Sequence, residues 1–187
     1  MRNYRPGGFR VTTEGKMMKA ATKKAEVNHA EQNAVAWYVT IREQVAALDC
    51  DFERRDELRE LKDTGDADEF TSAERIELET LEDACGDFKD REDVEQRIQE
   101  GPLSVEVRSD WHEPGNGEDH NKPAEFCILL STGAPALRIT GDLDEYGQPS
   151  RAYLQYQDWG TPWTDYFPGS GSGDVLLTYC QQFYFGE

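Results

Sequence analysis

At Gly101-Pro102 the spacing of apolar residues changes period, and this change limits the chain to folds in which helices come before a sheet. Upstream, Ala34, Tyr38, Ile41, Val45, Leu48 and Phe52 recur in steps of four and three, which puts all six on one stripe of an amphipathic helix. That helix starts behind Asn28, with Glu31 as capping partner. A second helical stretch, Asp51 to Lys62, offers Leu58 and Leu61 and breaks at Thr64-Gly65. Thr71 with Glu74 forms a capping-box signature ahead of Ile76, Leu78, Leu81 and Ala84, and Gly86 stops that helix. A short helix over Asp90 to Gln99 closes the region.

Downstream the period becomes two. Leu103, Val105 and Val107 alternate with polar residues, and Phe126, Ile128 and Leu130 do so again. Leu137 and Ile139 precede a turn at Asp144 to Gly147, and Tyr153 to Tyr156 returns as a fourth strand. Strands joined in sequence make an antiparallel meander. The segment from Trp111 to Pro123, with two glycines and two prolines, is predicted to be a long exposed loop. The last element, Asp174 to Phe185, fits 3.6-residue spacing better than a fifth strand, with Asp174 placed to cap it. The predicted fold class is α+β: an acidic N-terminal helical region followed by an antiparallel β-meander packed with a C-terminal helix. The expected units are a basic flexible arm (1-25), the acidic helical region (26-100) and an α+β domain (101-187).

Charge follows the same division. The chain carries a formal charge of -18, which repels DNA, RNA and anionic lipid and argues against direct nucleic-acid binding. Residues 1 to 25 hold seven Lys/Arg against one acid, residues 26 to 100 nine against twenty-four, and the remainder four against thirteen. The arm residues Arg2, Arg5, Arg10, Lys16 and Lys19 stand among too few apolar neighbours to fold alone, and could touch nucleic acid or an acidic surface. On the helices, Asp63, Asp66, Asp68, Glu69, Glu74, Glu77, Asp83, Asp87, Asp90 and Asp93 form a candidate acidic face for a partner. Carboxylates three or four residues apart on a helix recur about every 6 Å, in the range of phosphate spacings along a DNA strand. Such charge also serves solubility alone.

No catalytic or metal-binding constellation is present in the sequence. Cys50, Cys85, Cys127 and Cys180 lie far apart, with no paired-cysteine motif and no His at ligand spacing, so they read as free, mostly buried thiols in a reducing cytoplasm. His112 and His120 share an acidic loop and are expected to be solvated, and His29 sits at a helix start. There is no nucleophile elbow, and the Gly-rich run Pro168 to Gly173 lacks the Lys of a phosphate-binding loop and reads as a connector. No apolar run approaches the roughly 18 residues of a membrane span, and Met1 to Gly8 lacks a signal-peptide core. The expectation is a non-enzymatic protein with no cofactor and no metal. Its aromatic C-terminal third supplies a second candidate partner surface at Trp159, Trp163 and Tyr166.

The strings Leu143 to Gly147, Arg151 to Leu154, Tyr156 to Thr164 and Phe183 to Glu187 resemble a family of small acidic accessory proteins of bacterial phages, plasmids and integrative elements. Leu103 to Trp111 is similar too, and the resemblance covers about half the chain. It carries no activity with it. What it implies is a setting: small acidic proteins of mobile elements counter host defence by occupying DNA-binding channels, as anti-restriction and anti-CRISPR proteins do. The implied function is inhibition of a host nucleic-acid-targeting complex through DNA-mimicking helices, in the cytoplasm of a bacterial host. The alternative is a regulatory module of the element that binds protein through the aromatic domain.

Overall fold

The computed structural model describes residues 28–64, 70–109, 111 and 122–186. The basic arm, the acids Asp66, Asp68 and Glu69, the histidines His112 and His120 and most of the Trp111-to-Pro123 loop lie outside the described residues.

The architecture is α+β: among the described residues four helices lead into a five-stranded antiparallel sheet, and a fifth helix follows it. Helix α1 (His29–Leu48) starts where the Asn28 side chain accepts the Glu31 N–H at 3.2 Å. Its stripe buries Ala34, Ile41 and Leu48 and half-buries Tyr38 and Val45. Phe52 does not continue that stripe, because the chain breaks over residues 49–51. The Asp51 carboxylate then accepts the Arg54 N–H at 2.9 Å, and Phe52 opens α2 (Phe52–Thr64).

Helix α3 (Ser72–Cys85) carries the full capping box: the Thr71 hydroxyl accepts the Glu74 N–H while the Glu74 carboxylate accepts the Thr71 N–H. It ends at Gly86, whose φ of 56° lies in the left-handed region that favours glycine. Helix α4 (Arg91–Glu100) is capped by Asp90.

Cys50 and Cys85 form a disulfide, with Cα atoms 5.5 Å apart, that ties the start of α2 to the end of α3. This corrects the expectation of four free thiols. The two cysteines are 35 residues apart in sequence, and only the packing of α2 on α3 brings them together. Cys127 and Cys180 are free.

The strands β1 (Ser104–Ser109), β2 (Pro123–Ser131), β3 (Ala136–Leu143), β4 (Pro149–Gln157) and β5 (Thr164–Tyr166) lie in chain order, each antiparallel to the next. Short β5 went unread in the sequence because three residues cannot show a period. Phe126, Ile128, Leu130, Leu137, Ile139 and Leu154 point to the inner face, where α1 and α5 (Ser172–Cys180) cover the sheet. At Gly141 on β3 a Cβ would collide with the Arg151 carbonyl and stand 2.7 Å from the Phe126 ring. The bare backbone there lets Phe126 reach Phe185, with ring centroids 4.8 Å apart.

Helix α5 lies where a C-terminal helix was predicted, but begins and ends earlier. Its N-cap is Gly171 without a side-chain cap, so Asp174 sits in the first turn rather than at the cap, and Ser172 and Gly173 of the Gly-rich run are helical. One core joins the two regions, since Ala34, Ile41, Val94 and Ile98 of the helices pack in the same cluster as Ile128, Ile139, Leu154 and Tyr179.

Candidate interaction surfaces

The acidic helices divide into carboxylates held within the fold and carboxylates directed at solvent. Arg54 of α2 bridges to α3, its Nε 2.8 Å and its Nη2 3.1 Å from the two oxygens of Glu77, while its Nη1 reaches Glu57 at 3.2 Å. Arg59 makes a second cross-link to Glu82 at 2.9 Å. Arg97 of α4 donates to Asp87 and Asp93 at 3.0 Å each and lies over the Phe88 ring, 4.7 Å from its centroid.

These contacts lower several carboxyl pKa values. The Arg54 guanidinium holds Glu77 below the usual carboxylate range, and the Thr71 N–H and hydroxyl do the same for Glu74. Asp93 is lowered by the Lys89 N–H first and Arg97 next.

Of the predicted acidic face, therefore, Glu77, Asp87 and Asp93 are paired with arginine, and Glu74 and Asp90 serve as caps. Asp63 and Asp83 are exposed and make no ion pair to a described residue. The same is true of Glu79 and Glu92, which the helical spacing also puts on these exposed faces, and of Glu43, Glu53 and Glu60, which it did not single out. Spacing along one helix did not separate them from the paired acids: Arg75 stands one turn before Glu79 without an ion pair to a described residue, while Glu77 and Glu82 are taken by Arg54 and Arg59 of α2.

The aromatic candidates do not form one patch. Trp159 is 84% exposed at the tip of the β4–β5 connection. The turn beneath it is bonded throughout: the Trp159 N–H donates to the Asp158 carboxylate at 2.7 Å and the Thr161 N–H to the Asp158 carbonyl at 3.1 Å. Trp163 is half-buried under Arg138, whose guanidinium carbon lies 4.1 Å from the ring centroid. Tyr166 meets Tyr38 of α1 edge to face at 6.2 Å and belongs to the margin of the core.

A third surface was not singled out in the sequence. The outer face of the sheet, opposite the helices, is an open groove of about 540 Å³ lined by Glu106, Arg108, Glu125, Cys127, Arg138, Thr140, Asp142, Tyr153 and Gln155. Arg108 pairs with Glu125 and Arg151 with Asp142 across neighbouring strands, and Arg138 donates to Gln155 at 2.9 Å. Desolvation pushes the half-buried Cys127 thiol upward, away from the thiolate a nucleophile needs. The polar alternate positions of β2, β3 and β4 were the available sign of this face.

Among the described residues no group of three or more His, Cys, Asp or Glu is placed to hold a metal ion. None of their helices is long and apolar enough to cross a membrane. Comparison with protein-family models, with curated proteins and with solved structures finds no match to this chain.

Proposed function

We propose that this chain is a non-enzymatic inhibitor that occupies the basic, nucleic-acid-binding groove of a host DNA-targeting defence complex of the kind anti-CRISPR proteins block. The observation that carries the reading is the set of exposed carboxylates without an ion-pair partner among the described residues, Glu53, Glu60 and Asp63 on α2 with Glu79 and Asp83 on α3. The two helices that bear them are held side by side by their packing and by the Arg54–Glu77 and Arg59–Glu82 bridges. Charge fixed on a rigid support competes with DNA for a Lys/Arg-lined groove without an ordering cost, and it steers association over long range. The resemblance to proteins of mobile elements supports the choice of a defence complex as target.

The test is displacement of labelled target DNA from a purified CRISPR surveillance complex, read by fluorescence anisotropy over a salt series. The unaltered protein should displace DNA, with affinity falling as salt rises. The variant E53Q/E60Q/D63N/E79Q/D83N should bind at least about tenfold more weakly and with a flatter salt slope. Simultaneous, independent binding of DNA and protein excludes competition. A second reading, a regulatory module that binds protein through its C-terminal half, is favoured by the exposure of Trp159. In that case Trp159→Ala abolishes binding and the charge-neutralised variant retains it.

A further inference from the structure

Strand β1 is an edge strand, hydrogen-bonded to β2 on one side and to no strand among the described residues on the other. Its inward residues Val105 and Val107 stand opposite Ile128 and Phe126. Those two partners are buried, yet Val105 is 39% and Val107 45% exposed. The apolar inner row of the sheet thus runs to its edge and stops in solvent. Edge strands are ordinarily protected by charge, and β1 carries Glu106 and Arg108 on its outward face. Here the two charges are of opposite sign and two residues apart, which makes them self-complementary under a two-fold axis.

We propose that β1 pairs antiparallel with β1 of a second copy of this chain, with the two-fold axis at Val107, joining two five-stranded sheets into one. Pairing about Val107 sets Glu106 opposite the partner's Arg108 and Arg108 opposite the partner's Glu106, while Val107 meets its own copy. A shift of the axis to Glu106 or to Arg108 puts like charges face to face. A shift by half that step turns the partner's valine row to the other side of the sheet. Of the registers that keep the pleat, only this one sets Glu106 against Arg108; an axis at Val105 faces Glu106 with Ser104 and adds no charge pair. With the axis at Val107, Arg108, which already pairs with Glu125 across β1–β2, gains a second carboxylate and lies in a row of alternating sign.

The full chain is tested by analytical ultracentrifugation up to about 100 µM, a concentration that populates any association of micromolar Kd, and by cysteine cross-linking. The unaltered protein sediments as a dimer. Val107→Cys oxidises to a covalent dimer, because directly opposed strand residues have Cα atoms about 4.5–5.5 Å apart, within disulfide reach. Val105→Cys, opposite the partner's Ser109, does not. E106R and R108E each weaken the dimer at least about tenfold, and an equimolar mixture of the two restores it as a heterodimer. Both positions are exposed on a strand edge, and circular dichroism verifies that the variants are folded. A monomer at 100 µM overturns the proposal, whether or not another protein adds to β1. A dimer in which Val107→Cys cross-links no better than Val105→Cys, or a mixture that fails to re-associate, overturns it as well.

Discussion

Arg55 is 3% exposed, the one charged residue in the core among the described residues. Its Nη1 and Nη2 donate to the carbonyls of Phe88 and Lys89 at 2.7 Å each, its Nε to Asp56 at 2.8 Å, and its guanidinium lies over the Phe52 ring. The side chain thus fastens the turn after α3 to α2. Arg54, the next residue along, bridges to Glu77 at the surface instead. Two adjacent arginines look alike in sequence, but positions 52, 55 and 58 follow a spacing of three that turns Arg55 inward with Phe52 and Leu58. Arg55→Met leaves two carbonyls short of a donor and should cost about 2–4 kcal/mol in urea unfolding, while Arg54→Met at the surface should cost less than about 1 kcal/mol. Ile76 shows the opposite case, an apolar residue at helical spacing that is 66% exposed on α3.

At the scale of elements, the helix ends were the most legible features. Asn28 and Thr71 cap, and Gly86 ends, the helices where the sequence predicts, since a cap is settled within three or four residues; Asp90, expected as the first residue of its helix, is that helix's cap. The disulfide was not legible. It encloses a segment with a sequence separation of 35, and in the chain-entropy account a loop of that size contributes about 3–4 kcal/mol by restricting the unfolded chain. Reduction by dithiothreitol, or Cys50→Ser, should lower Tm by that equivalent, and Cys127→Ser should leave it nearly unchanged. Helix α5 began earlier than expected because its cap is backbone alone: Gly171 with φ 86° takes a turn that no side-chain signal announces.

For the whole molecule, the charge that dominates composition is partly consumed inside the fold. Asp56, Glu74, Glu77 and Asp93 all have pKa values below the ordinary carboxylate range, set by Arg55, Thr71, Arg54 and the Lys89 N–H in turn. A carboxylate lowered in the folded state adds stability that is present above its unfolded pKa and is lost as pH falls through the folded one. The urea midpoint should therefore hold from pH 7 to about 5 and fall as the medium drops below the usual carboxylate pKa of about 4. E77Q should show a shallower fall, since it lacks one of the four groups. Periodicity, caps and the change at Gly101-Pro102 were enough to place the helices before the sheet and to divide apolar from polar strand faces, because those signals act over a few residues. Tertiary structure alone decided which acids remain free, that Cys50 meets Cys85, that helices and sheet share one core, and that the valines of β1 reach solvent. Each depends on which face meets which neighbour across tens of residues, and local spacing carries no record of that.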